Sequence, residues 1–222
     1  LQTTDGNSAK VISTSMLLAP GADMDDPKRV NFLSIQNSQS TFANGYTPVP
    51  LRTGYERVLG MRTGDLYCKT ATRGDGVVKS IKDDVITVGY PDGTTDTYPI
   101  GRVFGKWSGE IVPHNLVTDL KVGEMVKEGQ AITYNSHYFQ PDSMDPTAIL
   151  YKNATLARTV FWEASETLED SCGITEAFAK RLVTRSTEIR NIRVEFTQEV
   201  RNLLAVGTTV DSNTILCTIY EP

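Results

Sequence analysis

The sequence predicts a mixed α/β fold in which strands predominate. Three observations carry that expectation. Short segments rich in Thr and Val, broken by Gly, Pro and Asp, run from residue 57 to 160, and such residues suit a pleated, partly buried surface. Pro91-Asp92-Gly93 stands between two of these segments, as a hairpin turn does. Helical periodicity is confined to short stretches near residue 30 and residue 178.

The elements follow in chain order. Residues 11–18 form a short apolar-rich segment. Asp26 suits a helix N-cap and Pro27 the first turn of a helix over about 27–38. Val30, Leu33 and Asn37, with Phe32 and Ile35, make that helix weakly amphipathic. Gly45, Pro48, Pro50 and Gly54 mark 44–56 as an irregular connection. Strands are expected over 76–79, 85–90 and 94–100, with a turn at Lys82-Asp83-Asp84 between the first two. Pro141 and Pro146 make 135–149 a loop, and 156–162 reads as the next strand. A helix is expected after Glu169-Asp170-Ser171, with Ile174, Phe178 and Leu182 as its apolar stripe. Residues 187–200 alternate as strands do, through Ile189, Ile192, Val194 and Phe196.

Length and charge narrow the function. A chain of 222 residues predicts one or two domains. Its 22 basic and 27 acidic side chains give a net charge of −5, which excludes a freestanding basic nucleic-acid clamp but not a piece of a larger nucleic-acid machine. Cys68, Cys172 and Cys217 are scattered, so a reducing compartment is expected rather than a disulfide framework. His114 and His137 form no zinc signature with them. Ser165 and Ser171 have no neighbouring histidine in the sequence, and Gly74-Asp75-Gly76 is a turn rather than a phosphate loop. Trp107 and Trp162 suit either base stacking or a core or subunit contact. No apolar run reaches membrane-spanning length. The chain opens on Leu1 without a signal-like segment and ends just after an expected strand, as a processed product or an excerpt of a longer chain would.

One internal similarity stands out. Val122-Gly123 is followed by Val126 and Ile132, and Val206-Gly207 by Val210 and Leu216 at the same offsets. The pattern predicts a glycine-assisted turn between two strands, with the valine plugging a small core. Turns of barrel-sandwich modules look like this.

The stretch DDPKRVNFLSIQNSQ, residues 25–39, resembles the segment reading DDANRALMGxNMQRQ in β subunits of multisubunit DNA-directed RNA polymerases. The preceding VISTSMLLAP is similar to that family's VSVxxSLIPF, and TPVPLRTGYE to xxPLVGTGME. The Gly-rich strand–turn–strand region from Gly76 to Tyr98, the DLKVGEMVKEGQ segment over 119–130 and residues 153–183 also follow the family, in the same order. Ile35 stands where the family has Asn, Ser38 where it has Arg, and Leu168 where it has Phe. That divergence resembles a large-phage subunit, a class in which β is often split across polypeptides.

The resemblance implies a fold: the hybrid-binding region of the β subunit, with barrel-sandwich-like β modules and short helices. It implies an active-centre segment over 1–56, a β-rich barrel-like module over 57–152 and a catalytic-centre segment over 153–222 leading toward the flap. It also implies roles. Glu169 and Asp170 would sit near the second metal and the incoming nucleotide; the alternative is that one caps a helix and the other faces water. Arg29 would approach the nucleotide triphosphate, as a guanidinium fork suits phosphate; the alternative is an ion pair with Asp25 or Asp26. Gln36, Asn37 and Gln39 would lie along the RNA–DNA hybrid, or form a solvated helix face. Gly54 would permit a tight backbone path and Glu56 would position a basic neighbour. Mg²⁺ would be held mainly by a β′-like partner, so this chain alone would not polymerise RNA. Further partners implied are the remaining β segments, template DNA, transcript RNA and nucleoside triphosphates, with no membrane. The expected location is the host cytoplasm, with packaging in a virion as a variant. The rival reading from composition is a noncatalytic β-rich structural or assembly module of a phage.

Overall fold

The computed structural model describes residues 12–64, 67–71, 73–107, 110–163, 165, 172–184 and 188–221. They fall in two compact units, Leu1–Thr187 and Glu188–Pro222. The chain is mixed α/β and β-rich, with a curled half-barrel sheet.

The first unit opens with two helices, α1 (Thr14–Leu17) and α2 (Pro27–Gln39). The α2 start is written locally: Asp26 Oδ1 accepts from the Lys28 amide at 3.3 Å, and Pro27 fills the first turn. Ser13 Oγ and Ser15 Oγ hydrogen-bond Ser34 Oγ and Ser38 Oγ across the pair, at 2.8 and 2.9 Å. Only Val30 of α2 is buried; Phe32, Leu33 and Ile35 stay exposed. A third helix, α3 (Tyr55–Arg62), begins where an irregular connection was expected to end. Its N-cap is Gly54, at φ +91°, a conformation glycine adopts without steric cost.

Next come β1 (Cys68–Thr70), β2 (Gly76–Lys82), β3 (Val85–Gly89), β4 (Thr95–Pro99), β5 (Gly101–Trp107), β6 (Glu110–Val117), β7 (Met125–Val126), β8 (Ala131–Asn135), β9 (Phe139–Pro141) and β10 (Ile149–Tyr151). One antiparallel sheet has the order β4-β3-β2-β7 and the other β1-β8-β6-β5. The Pro91-Asp92-Gly93 turn is held by Asp92 Oδ1, which accepts from the Thr94 amide at 2.9 Å and from its hydroxyl at 2.6 Å. The expected strands over 76–79, 85–90 and 94–100 are therefore present as β2, β3 and β4, with shifted ends.

Two apolar cores result. Val78, Ile86, Val88, Val126 and Ile132 fill one, and Tyr90 and Tyr98 close it with their hydroxyls 3.1 Å apart. Gly76 is required here, because a Cβ would lie 2.7 Å from Val88 Cγ1. Gly123, at φ +87°, makes the turn into β7, and its amide donates to the Val78 carbonyl at 2.8 Å. The other core gathers Cys68, Tyr134, Phe139 and Ile149. Burial pushes the Cys68 thiol up to about 12.

Three expectations are corrected in this unit. The expected loop over 135–149 contains β9 and the first residue of β10, which pair antiparallel through Ile149↔Pro141. The expected strand over 156–162 forms no strand. Phe161 and Trp162 there are 104% and 80% exposed, so Trp162 fills no core; the side chain of Trp107 lies outside the description. The helix expected after residue 171 is only α4 (Glu176–Ala179), capped by Thr175 Oγ1, with Ile174 and Leu182 exposed rather than buried.

The second unit holds a two-stranded sheet, β11 (Glu199–Arg201) against β12 (Thr218–Tyr220), with Val200↔Ile219 in register. Among its described residues none is buried, and strand over 187–200 is confined to the start of β11. Gly207 turns at φ +90°, as Gly123 does, but Val210 is 50% exposed where Val126 is 0% exposed. The repeat thus recurs in backbone conformation and not in packing.

Candidate functional site

A cavity of about 560 Å³ lies in the first unit, among α1, the end of α2, α3 and the β9–β10 pair. The polypeptide after α2 brings Phe42 and Tyr46 to it, α3 contributes Leu59, and β9 and β10 contribute Phe139 and Tyr151. The rings form a connected cluster: Phe42 sits 4.8 Å from Tyr46 and 5.0 Å from Tyr138, centroid to centroid. Such edge and offset contacts fix ring positions. Asn37, Ser38 and Ser40 present polar groups from the helix end, and the Ser40 hydroxyl donates to the Asn37 carbonyl at 3.0 Å. Asn153 also lines the cavity, and among the described residues its buried Oδ1 has no hydrogen-bond partner.

Behind this wall lie the two histidines. His114 is buried and its Nδ1 is 3.0 Å from Asn135 Nδ2. His137 packs its ring 5.0 Å from Phe42. Burial lowers the pKa of both, and for His137 the neighbouring Lys152 ammonium lowers it further. Burial also lowers Lys152, whose Nζ donates to the Ser136 carbonyl at 2.8 Å. Both histidines therefore serve the packing, and a pH dependence follows. The unfolded chain takes up protons at an ordinary histidine pKa of 6.5, and the folded chain resists them. Their stabilising contribution is complete above that pKa and is lost as pH falls through the lowered folded values. Urea midpoints are expected to be flat above pH ~7 and to fall below about 6.5. The carboxylates of Asp92 and Asp145, held below the usual range by hydrogen bonds from Thr94 and Thr147, act only at more acidic pH. His114→Gln should flatten the first fall; an unchanged slope would refute the assignment.

The residues expected to form a polymerase site are distributed as follows. Arg29 is exposed in the first turn of α2, and among the described residues it makes no ion pair, so the pairing with Asp25 or Asp26 is absent. Asp25 instead accepts from the Asp26 amide. Gln36 lies two turns beyond Arg29, on the same side of the helix. Gln36, Asn37 and Gln39 are all exposed, and only Asn37 lines the cavity. Gly54 sits at φ +91°, in the left-handed region. Among the described residues no cation pairs with Glu56: its carboxylate accepts from the amides of Gly54 and Thr53, at 2.9 and 3.3 Å. Glu169 and Asp170 lie outside the described residues.

Among the described residues no group of three or more His, Cys, Asp or Glu side chains converges to hold a metal ion. No described helix is long and apolar enough to cross a membrane. Sequence reasoning missed the aromatic cavity; the one signal available was Tyr138, Phe139 and Tyr151 close together, with Phe42 and Tyr46 far away in the chain. No family model and no curated protein matches the chain.

Proposed function

We propose that this chain is a segment of the β-like subunit of a multisubunit, phage-type DNA-directed RNA polymerase, working in template-directed nucleotidyl transfer and inactive alone. The observation that carries the reading is the colinear order of motifs from residue 11 to residue 183. Arg29 supports it: an exposed guanidinium, unpaired among the described residues, is available to phosphate oxygens. Gln36 and Gln39 share the Arg29 side of α2, beside exposed Phe32 and Leu33, and would lie along the RNA–DNA hybrid. Glu169 and Asp170 would complete the centre beside Mg²⁺ held by a β′-like chain. The β4-β3-β2-β7 sheet would be a barrel-sandwich-like module of that subunit. Open apolar surface also fits a component of an assembly: Phe161 and Trp162 are exposed, as are Phe196, Val206 and Ile215 in the second unit.

That last observation equally favours a second reading, a noncatalytic assembly module. Copurification with the remaining transcription subunits separates the two. The polymerase reading expects one stoichiometric complex with RNA synthesis. In it, Arg29→Ala raises the nucleoside triphosphate KM about ten-fold or more, as loss of a charged hydrogen bond does, without lowering the yield of complex. A complex without RNA synthesis supports the assembly module. Unchanged nucleotide dependence removes Arg29 from substrate binding.

A further inference from the structure

We propose that residues 207–216 of the second unit are a docking edge for an extended β-segment of a partner polypeptide, one with apolar β-branched side chains at alternate positions. The proposal rests on the internal repeat and not on the polymerase reading.

The repeat goes deeper than its valines and glycines. Leu116 pairs with Asn135 across β6 and β8, and Val200 pairs with Ile219 across β11 and β12 in the corresponding register. The turns between the strands share their bonds. The Glu124 amide donates to the Lys121 carbonyl at 3.0 Å, as the Thr208 amide does to the Ala205 carbonyl at 3.2 Å. The Gln130 amide donates to the Lys127 carbonyl at 3.0 Å, as the Thr214 amide does to the Asp211 carbonyl at 3.3 Å. A side-chain bond recurs too: the Lys127 amide donates to Gln130 Oε1, and the Asp211 amide to Thr214 Oγ1. Two stretches at one constant offset therefore build the same strand–turn–turn–strand frame.

What differs is the cover. In the first unit β2 lies along β7 and β1 along β8. The Val78 amide donates to the Glu124 carbonyl at 2.9 Å, and its carbonyl accepts from Gly123. Ala71 makes the same two-way exchange with Gly129 and Gln130. In the second unit β12 has only β11 beside it, and among the described residues the Gly207 amide and the Thr208 and Thr214 carbonyls have no partner. The side chains differ in the same way. Val126 and Ile132 share a core with Val78, Ile86 and Val88, whereas their equivalents Val210 and Leu216 are 50% and 52% exposed. Val122 and Val206 are exposed in both copies, so the difference is confined to the covered face.

The first unit thus shows what closes such a frame: a strand whose backbone bonds the turn and whose alternate apolar side chains fill the core. Main-chain bonds and alternating side chains are how an added strand is recognised. In a second copy β1 and β2 are already engaged in the first unit, so the occupant comes from a different polypeptide.

The test extends the 222-residue chain by a flexible Gly/Ser linker of about 20 residues and a copy of residues 69–82, the β1–β2 stretch, as a tethered probe. Amide exchange at Gly207 reads the edge, with Gly123 as the reference because its amide is already bonded to Val78. The expected result is exchange at Gly207 slowed about ten-fold or more by the tail, and not by a tail of the same residues in scrambled order. Val210→Asp in the extended chain should abolish the slowing, while Val206→Asp should retain it. No slowing, slowing by the scrambled tail, or slowing that survives Val210→Asp would each overturn the proposal. So would a Gly207 amide already protected in the unextended chain sedimenting as a dimer, which would make a second copy the occupant.

Discussion

Val126→Asp is expected to destabilise the first core by about 2.5–6 kcal/mol and to shift its unfolding transition far toward lower urea, while Val210→Asp leaves the chain's stability within about 0.5 kcal/mol. The two valines hold the same place in the VG-x-x-V repeat, and both turns carry a glycine near φ +90°. Their surroundings differ. Val126 pairs with Gly76 across β7 and β2 and touches a core that includes Val78, Ile86 and Val88. An aspartate there forfeits about 1.5–3 kcal/mol of apolar burial. It also places a carboxyl where no partner is available, which adds roughly 1–3 kcal/mol on the scale of protein substitutions. Together these come to about 2.5–6 kcal/mol, a large share of the ~5–15 kcal/mol that holds a domain. Val210 is half exposed already, and its substitute stays in water. Circular dichroism in urea reads both variants. A normal midpoint for Val126→Asp would show that β7 does not close the core, and a large loss for Val210→Asp would show a packed second unit.

That contrast marks how far the sequence reached. What was legible was local. Asp26 and Pro27 define the α2 start with their own atoms, and Asp92 ties its own hairpin through Thr94. The glycine turns were legible for the same reason, since a positive φ is a property of one residue. What was missed depends on distant partners. The strand pattern over 156–162 finds no neighbouring strand, and alternation alone supplies no hydrogen bonds. The start of β10 hides behind Pro146, yet Ile149 reaches β9. The stretch from residue 57, expected as strand, begins inside α3, whose Gly60 permits close packing where a Cβ would lie 3.0 Å from Ile149 Cδ1. The cavity draws its walls from residues 14 to 153, a convergence that no local motif encodes. For the proposed polymerase site, the sequence marked one helix that the fold leaves exposed at Arg29 and Gln36, while the Glu56 carboxylate accepts from nearby backbone amides.

Glu56→Ala is the second large effect expected, a loss of about 2–4 kcal/mol with local release of the α3 start. Glu56 is only 2% exposed, and among the described residues no cation pairs with it. Its carboxylate does the work of an N-cap. Gly54, the N-cap, has no side chain, and Glu56 reaches back from the first turn to the Gly54 amide and the preceding Thr53 amide, as the acid of a capping box does. A negative group at this helix end also meets the positive pole of the peptide dipoles. Alanine would leave both amides without that acceptor and would free Thr53, whose hydroxyl also donates to the Leu17 carbonyl at 2.7 Å. Glu56→Gln keeps one acceptor oxygen but turns an NH₂ toward other donors, so it should fall between the wild-type chain and alanine. Amide exchange separates this role from simple packing. In the unsubstituted chain the Gly54 amide is expected to be protected; in Glu56→Ala it should exchange far faster, while Ile86 in the distant β3 strand changes only with global stability. Equal protection of Gly54 in both chains would mean that its amide is held by something other than Glu56, and the capping role would be lost. The same variant reaches the cavity, because Leu59 and Thr63 lie one and two turns along α3 and line it.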